Sequence, residues 1–268
     1  MGGVLVAYLK NKKPHHLFGG VLFFYYICIM KKIKTYFTSL PKGVKLILSI
    51  NLLVYMVSLI SSICFNFDVN HYLGFYPTHS GEFKFYQLLT FMFTHSYDPT
   101  HIVVNLIFFL LFSVSFAKKF GSKNYILMYV FSSVVCVFCF NVLQNYQNKI
   151  YKKELLEMNI QPKKLNISDL SHIDNKLLYQ YNETFFSAIG SSGAVCGFII
   201  SFIIFNVRNI KKLNILILYV TSFFVIYHIS MPFIENDFDY FTAQIGHVGG
   251  ILGGLLFSLY IKTKKRID

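Results

Sequence analysis

The chain has 268 residues, of which 54% are apolar and 14% charged, against about 25% charged in an ordinary soluble domain. Its mean hydropathy of +0.51 and its 30 Phe and 19 Tyr exclude intrinsic disorder and argue against a soluble globular protein. The net charge of +13 would point to nucleic acid if it formed a patch. The basic residues fall instead in short clusters between apolar runs, the pattern of cytoplasmic membrane anchors, so no nucleic-acid partner is expected.

In chain order, residues 1–40 read as a cytoplasmic or interfacial segment. Leu17 to Met30 is apolar or aromatic throughout and is followed by Lys31 and Lys32. It is short for a span, which needs about 20 residues. The bulky Tyr25, Tyr26 and Ile27 fit poorly before a signal-peptide cleavage site. The stretch is either interfacial or an upstream extension of a chain that begins at Met30.

Residues 41–265 read as one domain with apolar spans at 45–65, 101–117, 125–143, 185–206, 213–230 and 245–261. Backbone satisfaction in lipid makes these helices, so the fold class is an all-α polytopic membrane protein, a bundle of six transmembrane helices. Lys42 and Lys45 precede the first span, Lys118, Lys119 and Lys123 follow the second, Arg208, Lys211 and Lys212 follow the fourth, and Lys262, Lys264, Lys265 and Arg266 follow the sixth. All four clusters fall on one side, which puts both termini in the cytoplasm. The connection 144–182 is a long outside insertion, either a short surface helix around Leu155, Leu156, Ile160 and Leu165 or a disordered segment. Gly121 and Ser122 are expected to turn the chain after the second span, Pro232 to end the fifth, and residues 233–240 to form a loop over the site.

Polar residues inside apolar helices mark function. His101 and Asn105 share one helical face at the start of the second span, Ser192 lies in Gly190-Ser191-Ser192-Gly193, and His247 lies in Gly246-His247-Val248-Gly249-Gly250. The second, fourth and sixth spans run from outside to inside, so these residues share one depth near the outer leaflet. Gly193 and Gly197, and Gly246, Gly250 and Gly254, repeat every four residues, a spacing that lets helix backbones approach in lipid. A Ser next to a His, whose ordinary pKa is about 6.5, makes a nucleophile and general base for acyl transfer. Asn105, His101 and the Ser192 backbone amide are the candidate donors to the negative oxygen of the intermediate. His95 precedes the second span and either supports the site or anchors the loop. Cys136 and Cys139 form a CxxC inside an apolar run, which reads as packing rather than as a redox or metal site. No metal or cofactor is expected.

With His101-Ile-Val-Val-Asn105, Gly190-Ser191-Ser192-Gly193 and His247-Val-Gly-Gly250 with Gly254 in this order, the chain resembles the rhomboid intramembrane serine proteases over roughly residues 40–265. The resemblance implies a serine endopeptidase that cuts transmembrane segments of membrane proteins with a dyad of Ser192 and His247. It implies an oxyanion site of His101, Asn105 and the Ser192 amide, no metal and no nucleotide, while the compact six-helix form suggests a bacterial inner membrane as location. Its partners would be single-pass membrane proteins and the lipid bilayer. The chain departs from the family pattern in four places. It lacks the Trp-Arg pair of the first loop, where Phe75, Tyr76, Phe83, Phe85 and Tyr86 offer a membrane-lying surface instead. It carries Cys196 where an aromatic residue often follows the nucleophile by four, and Ala117 where a Glu is common. Its third loop is longer than in compact members. Two other function classes are open to such a chain: an inactive relative that binds transmembrane clients, and a small transporter, for which the sequence offers no inverted repeat.

Overall fold

The computed structural model describes residues 31–32, 34–162, 176–206 and 238–267. The expected fifth span at 213–230, the stretch Leu17 to Met30, Pro232 and residues 233–237 lie outside the described residues. The chain divides into two units, Met1–Leu40 and Pro41–Asp268. In the first, residues 34–39 are helical, and the hydroxyls of Thr35, Thr38 and Ser39 donate back to the carbonyls of Lys31, Thr35 and Tyr36.

The second unit opens with α1 (Lys42–Phe65), 24 residues and so about 36 Å long, enough for a hydrocarbon core of about 30 Å. Val44, Ile47, Leu48, Asn51, Tyr55 and Ser58 are buried at helical spacing, while Leu53, Val57, Ile60 and Ile63 on the other side are exposed. A helix apolar on its outward side is suited to lipid rather than water. Asn66, at φ 49°, ends it and returns its N–H to Ser61.

A loop with two short helices, α2 (Val69–Leu73) and α3 (Gln87–Thr90), then a 3₁₀ turn (Phe91–Phe93), leads to α4 (Pro99–Glu157). Asp98 caps α4 by accepting from the Thr100 N–H at 2.9 Å, and Pro99 occupies the first turn, where no N–H is needed. Gly121, at φ 80° and ψ 165°, breaks α4 into arms 99–120 and 122–157. Phe109 of the first arm packs edge-on against both Tyr125 and Tyr129 of the second, so the arms fold back antiparallel. The second arm runs far past the length that crosses a bilayer. The insertion is therefore neither wholly disordered nor a separate surface helix at its start: the third span continues as helix through Leu155, which is fully buried, to Glu157. The chain returns through α5 (Lys176–Glu183), tied to the second arm by Asn148 Nδ2 donating to Thr184 Oγ1 at 2.8 Å.

The sequence places a fourth span at 185–206, but α6 (Ser192–Asn206) begins only at Ser192. The preceding residues are spent otherwise. Ala188 exchanges both backbone hydrogen bonds with Phe75 of the first loop at 2.8 and 2.9 Å, and Gly190 sits at φ 110°, where a right-handed helix cannot start. The last element is α7 (Phe238–Ile267), so residues 238–240 belong to a helix rather than to a loop. No strand occurs among the described residues. The helices α1, α4 and α7 are long and apolar enough to cross a membrane, and α6 is a shorter apolar helix; the chain is an integral membrane protein. Lys119, at the bend of α4, donates to the Phe205 carbonyl at 3.4 Å and lies over its ring, which puts the bend and the C-terminal end of α6 at one depth.

Three helices meet on small residues. A Cβ added to Gly250 of α7 would lie 2.8 Å from Gly193 Cα and closer still to the Gly193 carbonyl oxygen, and one on Gly254 would lie 2.7 Å from the Gly197 carbonyl carbon. On the adjoining face, a Cβ on Gly249 would come within 2.9 Å of Cys136 Cα, and one on Gly253 within 2.8 Å of Ser132 Cα. Gly250→Ala should therefore cost about 1–3 kcal/mol through overpacking and lower the thermal midpoint in detergent. Gly246→Ala, whose added carbon would meet only Cys136 Sγ at 3.5 Å, should leave that midpoint unchanged or raise it. Equal losses in the two variants would show that the seam is not tight.

One side chain ties several parts of the first loop together. Gln87, 2% exposed, accepts at Oε1 from the Tyr76 and Lys84 N–H groups and donates from Nε2 to the Tyr72 and Glu82 carbonyls, at 3.0 to 3.4 Å. Those four bonds use its full capacity. Gln87→Leu keeps the bulk and strands four backbone groups, each costing about 1–3 kcal/mol if left unpaired. Limited proteolysis should cut residues 72–90 of that variant at protease levels that spare the parent chain; equal resistance would refute the role.

Candidate active site

The site forms where the N-terminal turn of α6, the middle of α7 and the first turn of α4 converge. Ser192 is the first residue of α6 because Gly190 turns the backbone just before it. The Gly190 N–H donates to the Phe91 carbonyl at 3.0 Å, which fixes the turn against the first loop. His247 stands one helical turn before Gly250, at the close contact of α7 with α6. Across that contact His247 Nε2 lies 3.0 Å from Ser192 Oγ.

His101 and Asn105 face the same place from α4. The Ser96 N–H donates to His101 Nδ1 at 3.2 Å. An N–H can only donate, so Nδ1 carries no proton and the neutral ring holds its proton on Nε2. The Ser96 hydroxyl lies 3.1 Å from the same Nδ1. A Cβ on Gly190 would sit 3.0 Å from His101 Nε2, so the ring's donor edge reaches the Gly190-Ser191-Ser192 turn only because position 190 is glycine. Asn105 donates one amide hydrogen to the His101 carbonyl at 3.0 Å.

Two cavities meet at Ser192 and His247. One, about 330 Å³, is lined by His101, Asn105, Val104, Phe108 and Cys196. The other, about 260 Å³, is lined by Phe91, Phe140, Cys136, Gln144, Glu183 and the backbone around Ala188. Ser192, His247, His101 and Asn105 thus border one or both, and Gly193, Gly197, Gly250 and Gly254 lie in the seam beneath. Gly246 faces the second cavity. Cys136 is a free, buried thiol packed against Gly193. Among the described residues no three His, Cys, Asp or Glu side chains gather where they would hold a metal ion.

Sequence reasoning did not single out Ser191, Ser96, Asn70, Gln144 or Glu183. His95, fully buried, donates from Nδ1 to the Phe93 carbonyl and so accepts at Nε2 from the Ser191 hydroxyl, both at 3.3 Å. Its own carbonyl accepts from Asn70 Nδ2 at 2.8 Å. The only signals in the sequence were a polar pair, Ser191-Ser192, where one serine serves the motif, and a His before the second span.

Burial, with the neighbouring His101 adding to it, pushes the His95 imidazole down to about 4. A group lowered on folding binds fewer protons than in the unfolded chain, so its contribution is intact above about 6.5 and is lost as pH falls from there to about 4. The loss is roughly 3 kcal/mol. Thermal midpoints in detergent should fall across that window, and His95→Gln should flatten the fall; an unchanged slope in the variant would contradict this.

Comparison with protein-family models matches the Rhomboid domain over residues 82–264, a stretch that contains His101, Asn105, Ser192 and His247. Comparison with curated proteins and with solved structures finds no match. A family model that covers most of the chain, on a polytopic helical membrane fold, shows that this protein belongs to the rhomboid family.

Proposed function

We propose that the protein is an intramembrane serine endopeptidase that cleaves transmembrane segments of membrane proteins. Rhomboids are generally intramembrane serine proteases that act on transmembrane substrates in the bilayer, and the observation that carries the reading here is the 3.0 Å approach of His247 Nε2 to Ser192 Oγ. That is hydrogen-bond reach for a base and its nucleophile.

In this reading Ser192 Oγ attacks the scissile carbonyl carbon as its proton passes to His247 Nε2. The carbonyl oxygen becomes negative and is met by the Nε2 proton of His101, the second amide hydrogen of Asn105 and the Ser192 N–H. Collapse of the intermediate breaks the C–N bond, and His247 returns the proton to the leaving amine. Water, deprotonated by the same imidazole, then hydrolyses the acyl-enzyme. No cofactor enters these steps. The lysine clusters support cytoplasmic termini, with the site toward the opposite face, and the compact helical form supports a bacterial inner membrane.

Purified protein in detergent should cleave a model single-pass substrate and react with a fluorophosphonate probe. Ser192→Ala should abolish both, and His247→Ala should abolish cleavage. Asn105→Ala should lower kcat about 10²- to 10³-fold, the usual effect of removing one such donor. Cleavage that survives Ser192→Ala would overturn the nucleophile. A folded protein that neither cleaves nor labels, yet retains transmembrane clients, would be the inactive binding relative instead.

A further inference from the structure

We propose that Ser191 and His95 are a positioning pair for the oxyanion site. Through its bond to Ser191, His95 holds the peptide plane that carries the Ser192 N–H, and its ring backs the ring of His101. The inference deepens the proteolytic reading and rests on it.

The chemistry of the dyad needs one serine and one histidine, and a second such pair stands beside it. The His95 Nε2 to Ser191 Oγ bond, at 3.3 Å, joins the strap before α4 to the residue before α6. Ser191 is 2% exposed and His95 0%. Neither lines the two cavities that meet at Ser192 and His247, so both act through other groups. A buried hydroxyl and a buried imidazole are unfavourable unless each is satisfied. Here they satisfy each other, with the Phe93 carbonyl taking the Nδ1 proton of His95.

The consequence lies in the peptide between Ser191 and Ser192, which is planar with its carbonyl and N–H on opposite sides. The Val195 N–H donates to the Ser191 carbonyl at 3.0 Å, so that carbonyl points along α6. The Ser192 N–H therefore points out of the helix N-terminus, where the first N–H groups have no partner within the helix. The residue before this plane is Gly190, at φ 110°, and glycine is the residue whose backbone pivots most freely. Two bonds from the strap limit the pivot: the Phe91 carbonyl accepts from the Gly190 N–H at 3.0 Å, and His95 accepts from the Ser191 hydroxyl. The His95 ring also lies edge-on to the His101 ring, with centroids 5.3 Å apart. Two of the three donors to the oxyanion thus rest on one imidazole. Donors of this kind act on charge that develops in the transition state, so loosening them lowers kcat and leaves substrate binding alone.

The test is steady-state cleavage of a model single-pass substrate by the full chain in detergent, with thermal midpoints measured beside it. Ser191→Ala removes only the hydroxyl. Its kcat should fall about ten- to hundred-fold, the range expected for a small misplacement, with KM within about two-fold of the parent value. His95→Met, similar in length but without the bonds, should lose at least as much. His95→Gln, whose amide can accept from Ser191 and donate to the Phe93 carbonyl, should keep most of the parent kcat. The double variant Ser191→Ala, His95→Met should lose no more than His95→Met, because the shared bond is already gone. Ser191→Ala decides alone if His95→Met does not fold. A purely structural pair would lower the thermal midpoints and leave kcat per folded molecule unchanged, and that result would overturn the proposal, as would fully additive losses in the double variant. If the parent cleaves and Ser191→Ala matches its kcat, this inference fails and the proteolytic reading stands. If the parent neither cleaves nor labels with a fluorophosphonate, the proteolytic reading fails and takes this inference with it.

Discussion

The closeness of two helix backbones is the constraint on which the rest depends. In lipid no hydrophobic drive pushes helices together, because the tails are as apolar as the side chains, so association falls to packing and close backbone approach. Gly193 and Gly197 of α6 lie directly against Gly250 and Gly254 of α7, with no room for a methyl group between them. Ser192 precedes the first of these glycines, and His247 stands one turn before the third. A serine side chain is too short to cross an ordinary interhelical gap of 8–10 Å. The same seam admits the second arm of α4, through Ser132 and Cys136 against Gly249, Gly253, Gly193 and Gly197. The cavity wall and the dyad therefore share one packing solution.

The second constraint is the strap of residues 91–96. Its backbone is held by Gly190 at the Phe91 carbonyl, by the Tyr129 hydroxyl at the Met92 carbonyl (2.7 Å), by Asn70 at the His95 carbonyl and by the His101 ring at the Ser96 N–H. Each partner comes from a different part of the chain. The strap carries His95, which holds Ser191, and Ser96, which sets the tautomer of His101. Loop chemistry thus decides which edge of an α4 side chain can donate, and the Phe75–Ala188 bridge ties the same loop to the approach of α6.

Much of this was legible in the sequence because lipid enforces simple rules. Twenty apolar residues make a helix, glycines four apart make a contact, and i, i+4 puts His101 and Asn105 on one face. What those rules could not reach was irregular backbone. The segment 185–191 is as apolar as a span, and only its pairing with Phe75 and the positive φ of Gly190 keep it out of α6. The polar insertion after Leu143 continues as helix because Gln144, Gln147, Asn148 and Leu155 recur on one face that α5 and the turn after it cover, a pattern hidden among lysines and glutamates. Cys196 was noted as a departure from the family pattern; it borders the larger cavity with His101 and Asn105, where a small side chain leaves that space open.

The two cavities are chemically opposed across the dyad. On one side stand donors: the Nε2 proton of His101 and the amide of Asn105. On the other stand the rings of Phe91 and Phe140, with Gln144 and Glu183 also in the lining. A peptide carbonyl placed at Ser192 has its oxygen and its carbon substituents pointing apart, so the oxygen can meet donors while a substituent meets the aromatic wall. The donors are preorganised by bonds that involve no solvent, the Ser96 N–H for His101 and the His101 carbonyl for Asn105. In a site walled by Phe and glycine, dipoles fixed in this way interact more strongly than they would in water. A site built for one orientation of its ligand has its selectivity set by the same helices that bring Ser192 to His247.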